Sequence, residues 1–208
     1  WGQMQRLFTI HQSLKFPPQF HPSVAKGWEI AEDGKSITFY LREGMKWSDG
    51  DDFNADDFAI WYEILQDPEL TPSISKNWTP GGELMGFNKI DEYTVQFTFA
   101  KPYCRALEVF WGRLDQDTAA LPEHFLKQYM PKYNDDAEAL AKEEGFESWQ
   151  LALNFHRYGY APDPMRPTVN PWVLKEIGVE SVLWERNPYF WRVDTAGNQL
   201  PYVDTLMV

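Results

Sequence analysis

Two short segments of alternating apolar and polar residues, joined through an Asp-Gly pair, constrain the fold of this chain more than any other feature. The segments are Trp28–Ile30 and Ile37–Arg42, and their period of two is typical of strands with one buried face. Asp33-Gly34 lies between them. Because a tight turn requires positive φ, Asp-Gly between alternating segments is a strong hairpin signal. The sequence therefore predicts a β-hairpin here.

A helix is predicted directly after this hairpin. Asn54 suits the N-cap position, and Asp57 follows at the third helical position, where a carboxylate favours the exposed amides and the helix dipole. The next apolar residues recur at i, i+3, i+4 and i+7, which is the spacing of one buried helix face. They are Phe58, Trp61, Tyr62 and Leu65. We expect the helix to end before Pro68, since the residue before a proline disfavours helical geometry.

The rest of the chain predicts further hairpins and groups of helices. Phe87–Asp91 and Thr94–Phe99 form a second hairpin pattern, and Val179–Glu185 is typical of a strand. Helices are predicted at 102–111, 122–129, 135–144 and 147–156. Strands joined by hairpins and interrupted by helices favour an α+β fold over a regular β-α-β wheel. We therefore predict a hairpin-built mixed sheet with helix clusters.

Composition and charge exclude several classes of partner. The net charge is −12 and Lys and Arg are not clustered, which argues against nucleic acid and against an anionic membrane surface. Cys104 is the only cysteine, so an intramolecular disulfide is excluded. Aromatic residues make up 16% of the chain. Most of them are expected in the core, but such a content leaves room for an aromatic-lined binding site.

No constellation typical of catalysis or metal binding is present in the sequence. The four histidines are scattered, and neither a Gly-rich phosphate loop nor a Gly-x-Ser-x-Gly motif occurs. The acidic residues 49–54 superficially resemble a calcium loop. However, Phe53 occupies the third ligand position and Asn54 the place of the required glycine. We therefore predict no catalytic residue, no metal site and no cofactor, and we favour binding over catalysis.

A resemblance to a known family rests on long ordered matches rather than on a short motif. The chain resembles the family 5 extracellular solute-binding proteins, the dipeptide and oligopeptide binders of ABC importers. The matching segments are Ser23–Ile30, Asp33–Phe39, Leu41–Gly50, Phe53–Phe58, Asp91–Phe99, Lys101–Tyr103, Leu121–His124, Arg186–Trp191 and Asp194–Asp204. Two departures leave the solute open. Asn170-Pro171-Trp172 stands where the family usually has Gly-x-Tyr, and the insert Tyr133–Trp149 is longer than in typical dipeptide binders.

The resemblance implies a type II periplasmic-binding fold, in which two lobes close on a peptide or a related solute such as an oligosaccharide. It also implies an ABC permease as partner, a monomeric chain and a place in the periplasm or at the outer face of the cell membrane, with lipid anchoring left open. We interpret the chain as a truncated piece of such a protein. Residues 1–25 are then a lead-in from lobe I, 26–168 an extra N-terminal subdomain and 169–208 a strand segment returning toward lobe I.

Three aromatic residues are the candidates for ligand contact. Tyr103 and Trp111 lie near the two ends of the helix predicted after the second hairpin, and Trp172 lies near the expected hinge. Core packing is the competing interpretation for each of them. By contrast, we assign Trp28, Trp47 and Trp61 to the core of the subdomain.

Two other kinds of function stay open at this point. A carbohydrate-binding or glycan-active domain is the alternative suggested by the aromatic content and the acidity, and it would expose its tryptophans in a row. A purely structural or protein-interaction domain is the third interpretation.

Overall fold

A computed structural model of the chain describes residues 8–11, 19–113, 120–158 and 162–208. The chain divides into two compact units. The hairpin unit contains the described residues of 5–43 and 54–120, and the C-terminal unit contains 44–53 and the described residues of 121–208. The predicted boundaries after residues 25 and 168 stay a prediction.

The hairpin unit is built on antiparallel strands. A two-stranded sheet pairs β1 with β2, and a four-stranded sheet has the order β3-β4-β6-β5. The strands are β1 (Phe8–His11), β2 (Gln19–Pro22), β3 (Ala25–Ile30), β4 (Ser36–Leu41), β5 (Gly86–Asp91) and β6 (Thr94–Thr98). Both predicted hairpins are confirmed, since β3 pairs with β4 and β5 pairs with β6.

The connection between β3 and β4 is longer than a two-residue turn. Residues 31–35 join the strands, and Ala31 donates its N–H to the carbonyl of Ser36 at 3.1 Å. Gly34 adopts a left-handed conformation with φ +67°. The Asp33 side chain accepts the N–H of Lys35 at 2.9 Å, which stabilises the turn. The Asp-Gly pair therefore marks the hairpin correctly. Only its glycine uses the left-handed region, so the turn is not of the primed two-residue kind.

Aromatic rings fill the core of the hairpin unit. Ile37, Phe39 and Leu41 alternate along β4 and are fully buried, as the period of two requires. Phe97 on β6 lies at the centre of the ring cluster, with its centroid 4.6 Å from that of Phe110. Three further rings lie within 6.2 Å of it, centroid to centroid: Phe39, Trp61 and Phe87.

The assignment of tryptophans to the core is correct for Trp61 and Trp47, which are 6% and 4% exposed, and needs correction for Trp28. Trp28 is only half-buried, because β3 is the edge strand of its sheet. Trp47 is buried in the C-terminal unit, where its ring contacts those of Phe53 and His124.

Helix α1 (Asp56–Gln66) begins and ends where the sequence predicts. The Asn54 side chain accepts the N–H of Asp56 at 2.7 Å, and the Asp57 carboxylate accepts the N–H of Asn54 at 2.9 Å. This reciprocal pair satisfies amides that the first turn leaves without intrahelical acceptors. The helix ends one residue before Asp67, which precedes Pro68.

Removing the carboxylate of Asp57 is expected to weaken this helix start. We predict that Asp57→Ala lowers the free energy of unfolding by about 1 kcal/mol, because a buried cap is lost. Asp56→Ala is the matched control, since Asp56 forms an exposed ion pair with Lys89 and should cost less than about 0.5 kcal/mol. Urea denaturation measures both, and equal losses in the two variants would argue against a capping role for Asp57.

One helix of the hairpin unit begins later than predicted. Helix α2 spans Ala106–Arg113, whereas the sequence predicts a start at Pro102. Pro102 instead packs against the turn between β3 and β4, where a Cβ on Gly34 would lie 3.4 Å from it. The next residue, Tyr103, donates its N–H to the carbonyl of Gly34 at 2.9 Å. This tertiary contact holds the chain out of helical geometry until Ala106.

The C-terminal unit combines three short helices with a three-stranded antiparallel sheet. Its elements are α3 (Glu123–Leu126), which continues as a 3-10 turn at Lys127–Tyr129, α4 (Ala137–Glu143), α5 (Trp149–Arg157), β7 (Trp172–Ile177), β8 (Val182–Arg186) and β9 (Thr205–Met207). The three predicted helices and the strand predicted near 179–185 are confirmed. Strands β7 and β9 lie within residues 169–208, where a strand segment is expected.

The α+β class is confirmed, with one difference in the sheet. The sequence predicts one mixed sheet, whereas every strand pair in the described part of the chain is antiparallel. The short hairpin connections make β3–β4 and β5–β6 antiparallel, because parallel neighbours require a crossover of a dozen or more residues.

Candidate functional site

Tyr103 lies in the hairpin unit, three residues before α2. Its ring is half-buried and packs edge-on against Phe99, with 5.1 Å between the centroids. Its hydroxyl donates to the backbone carbonyl of Asn77 at 3.2 Å. Burial raises the pKa of this hydroxyl.

The other two predicted contact residues lie in different units of the chain. Trp111 belongs to the last turn of α2 in the hairpin unit, and its side chain falls outside the described part of the structure. Trp172 is the first residue of β7 in the C-terminal unit, pairs with Arg186 and is half-buried. Tyr103 and Trp111 thus share one unit and Trp172 belongs to the other. Their roles stay predictions.

The acidic residues 49–54 form a structural turn with a histidine beside it. In the C-terminal unit, His124 contacts Asp49 through Nε2 at 2.7 Å and Asp51 through Nδ1 at 2.8 Å. Asp49 also accepts the N–H of Asp51. Both ring nitrogens are occupied, and across the described ranges no group of three or more His, Cys, Asp or Glu side chains is arranged to hold a metal ion.

A second histidine is buried in a polar network of the C-terminal unit. His156 on α5 is 1% exposed, and its Nδ1 lies 2.6 Å from Asp163 and its Nε2 2.9 Å from Glu144. Tyr129 stacks on the imidazole at a centroid distance of 4.4 Å and donates its hydroxyl to Glu144 at 2.8 Å. Since both ring nitrogens already have carboxylate partners, the imidazole is not available as a general base.

The sequence offered no local pattern for this network. Tyr129 lies in the 3-10 turn, Glu144 directly after α4, His156 on α5 and Asp163 in the Pro-rich segment 162–168. Only the tertiary fold brings these four residues together. Asp163 follows His156 by seven residues, across a stretch with no helical or strand period. A single histidine on a helix carries too little information to predict such a partner.

Two of the segments that carry the family resemblance, Arg186–Trp191 and Asp194–Asp204, form turns that side chains stabilise. Asn187 is fully buried and bridges three backbone groups around β8. The Asp194 carboxylate accepts the N–H groups of Ala196 and Asn198, each at 2.8 Å, and the hydroxyl of Tyr202 at 2.5 Å. These contacts lower the pKa of Asp194, the Tyr202 hydroxyl contributing most. The side chains of these two segments therefore have a structural role in stabilising the backbone, and they require no contact with a ligand.

None of the helices in the described residues is both long and apolar enough to cross a bilayer.

Comparison with protein families gives one extensive match. Residues 19–208 match the middle-segment model of the bacterial extracellular solute-binding proteins, family 5. This range includes all three predicted contact residues, the whole described part of the C-terminal unit and the hairpin unit apart from β1.

Individual relatives include binders of two kinds of solute. The chain is 34% identical over 188 residues to the periplasmic alpha-galactoside-binding protein of Rhizobium meliloti, covering 89% of this chain and 25% of that protein. It is 25% identical to the periplasmic oligopeptide-binding protein OppA of Salmonella typhimurium, covering 88% of this chain and 31% of that protein.

The solved structures that match the chain include a protein named for oligopeptides and a protein in complex with stachyose. An oligopeptide-binding protein OppA matches with a TM-score of 0.79 and 35% identity, over 91% of this chain and 29% of that chain. The periplasmic binding protein MelB of Agrobacterium fabrum, in complex with stachyose, matches with a TM-score of 0.68 and 30% identity, over 90% of this chain and 26% of that chain. The chain therefore spans between a quarter and a third of the length of these relatives.

Proposed function

The chain belongs to the family 5 bacterial extracellular solute-binding proteins, and from this membership we propose that it is part of the solute-binding component of an ABC importer. The observation that carries the proposal is the family match over residues 19–208, with relatives above 30% identity that cover most of the chain. The relatives are named as binding proteins, which supports a role without enzymatic activity.

The solute in this proposal is an extended polar oligomer, either a peptide or an oligosaccharide. Relatives of similar identity are named for alpha-galactosides and for oligopeptides, so the two chemistries have equal support. A solute held between two lobes would favour the closed form through its higher affinity for that form. The permease would then receive the solute from the closed protein. The place of action proposed for the parent protein is the periplasm or the outer face of the membrane, where its relatives are named as periplasmic.

The rival interpretation, a carbohydrate-binding or glycan-active domain, has less support. Such a domain would expose its tryptophans in a row, but Trp47, Trp61 and Trp78 are each less than 10% exposed, and the other tryptophans whose side chains are described are half-buried. The relatives that match most of this chain are solute-binding proteins.

Calorimetry on the full-length parent protein tests the function. We expect binding from a panel of oligopeptides or from a panel of alpha-galactosides, with affinity in only one of the two panels. No binding from either panel by a folded parent protein would contradict the proposed solute class.

Tyr103 provides a test of the predicted contact site. We expect Tyr103→Leu in the parent protein to weaken solute binding about tenfold, the cost of losing one aromatic contact of about 1.4 kcal/mol. Tyr62→Leu is the matched control, because the hydroxyl of Tyr62 also donates to a backbone carbonyl, that of Met85 at 2.8 Å, and its ring packs against Phe87.

The two tyrosine variants separate binding from stability. Both remove a half-buried ring and one hydrogen bond from the same unit, so both should lower the melting temperature to a similar extent. Only Tyr103→Leu should change the dissociation constant measured by calorimetry. Equal affinities for the two variants would assign Tyr103 to packing alone.

A further inference from the structure

The buried histidine of the C-terminal unit connects helix α5 to a segment without regular secondary structure. His156 lies on α5, and its carboxylate partner Asp163 lies in the Pro-rich segment 162–168, which contains no helix or strand. Both are almost fully buried, with 1% and 8% of their surface exposed. A charged hydrogen bond of 2.6 Å at such a depth is among the stronger polar contacts in a protein.

Asp163 passes this attachment on to the backbone of the segment. Its second carboxylate oxygen accepts the N–H of Met165 at 2.9 Å. Farther along, Thr168 donates its N–H to the hydroxyl of Ser48 at 3.0 Å within the same unit. The segment is thus fastened at both ends by side chains, and its first fastening depends on the Asp163 carboxylate.

The charges around the imidazole favour its protonated form. Glu144 follows α4, Tyr129 faces the ring from the 3-10 turn, and Asp163 faces it from the Pro-rich segment. Of the cations on these elements, Arg166 interacts with Asp163, whereas the Arg157 guanidinium on α5 lies over the Tyr158 ring. An imidazole with a carboxylate on each nitrogen can satisfy both only when it carries two protons, because the neutral ring has a single N–H.

We propose that His156, Asp163 and Glu144 form a proton-dependent latch that holds the Pro-rich segment 162–168 on the helices of the C-terminal unit. When His156 loses a proton, the neutral ring has one N–H for two carboxylates, so one carboxylate oxygen faces a ring nitrogen that no longer donates to it. Tyr129 still donates to Glu144 and the Met165 N–H to Asp163, but the lost contact lies in a buried site, where an unpaired oxygen is unfavourable. The segment then detaches more often from α5. Neither carboxylate can replace the lost donor.

The direction of the pH dependence follows from the surroundings of each group. Burial lowers the pKa of His156, but the hydrogen bonds that the ring donates to the two carboxylates outweigh this effect, and the net pKa is raised. The latch is therefore fully closed below the ordinary histidine pKa of about 6.5 and is lost as pH rises through the higher pKa of the folded state. Burial raises the pKa of Asp163, but the hydrogen bonds from His156 and the Met165 N–H lower it overall. Acid therefore opens the latch only below the ordinary aspartate range.

Hydrogen exchange on the 208-residue chain tests the latch. NMR titration of the His156 ring gives its pKa, and the protection factor of the Met165 amide is measured from about pH 6 to about pH 9. We expect the protection factor of Met165 to fall about tenfold for each unit by which the pKa of His156 exceeds that of an exposed histidine. The fall should follow the NMR titration of the ring.

Two variants give the control. His156→Gln keeps donors and acceptors at the position but does not titrate, so Met165 protection should become independent of pH in that range. His124→Gln removes the more exposed histidine, which lies between Asp49 and Asp51, and should leave the pH dependence unchanged. If His156→Gln does not fold, the wild-type titration still decides. A His156 pKa at or below that of an exposed histidine, or a Met165 protection factor that stays constant while His156 titrates, would overturn the proposal.

Discussion

Phe97→Ala is expected to lower the free energy of unfolding of the chain by about 3–5 kcal/mol, the usual cost of truncating a fully buried phenylalanine. Phe97 is 0% exposed, and its ring contacts four other aromatic rings, two of them from helices. Alanine would leave a cavity where β6 meets α1 and α2. The surrounding rings are large and rigid, so they can fill this cavity only in part.

Urea denaturation followed by circular dichroism measures the effect of Phe97→Ala. Ile90→Ala is the control, because Ile90 lies on the neighbouring strand β5 but is 57% exposed. A substitution at such a surface position should change the free energy of unfolding by less than about 0.5 kcal/mol. A loss below about 1 kcal/mol for Phe97→Ala would mean that the ring cluster does not hold the unit together.

The sequence predicted the parts of the fold that depend on local pattern. The alternation along β4 and the spacing on α1 each select one buried face, and the structure buries those faces. The same reasoning failed for Trp28, because an alternating pattern does not tell an edge strand from a central one.

The candidate site was less predictable than the fold. Tyr103 and Trp111 were chosen because they lie near the ends of a predicted helix, and Trp172 because it lies near the expected hinge. The start of α2 at Ala106 depends on a contact between Pro102 and Gly34, which are distant in sequence. The network around His156 depends entirely on such contacts. Side chains that meet only through tertiary packing leave no period or spacing in a single sequence.

The stretch from Trp28 to Asp57 identifies the family without describing its solute. The residues of this stretch form a hairpin, a turn with a glycine in the left-handed region and a reciprocal helix cap, which accounts for them structurally. The residues that mark the family therefore need not be those that select the solute. For this reason relatives of similar identity can be named for oligopeptides and for alpha-galactosides.

The Arg-Asn-Pro stretch at the end of β8 makes the same point through a single buried side chain. Asn187 is 0% exposed, and its amide donates to the carbonyls of Asn170 at 2.9 Å and Thr168 at 3.3 Å. Its side-chain oxygen accepts the N–H of Tyr189 at 2.9 Å. One asparagine thus satisfies three backbone groups, and it ties the end of the Pro-rich segment to the end of β8.

Asn187→Ala is expected to lower the free energy of unfolding by about 3 kcal/mol, because each buried backbone group left without a partner costs about 1–3 kcal/mol. Asn187→Asp keeps the shape but turns a second oxygen toward two carbonyls, so it should be at least as unstable. Asn198→Ala is the control, since this exposed asparagine bonds only within its own turn, to Asp194, and its loss should cost less than about 1 kcal/mol. Urea midpoints for Asn187→Ala and Asn198→Ala that coincide would show that Asn187 does not hold this part of the unit together.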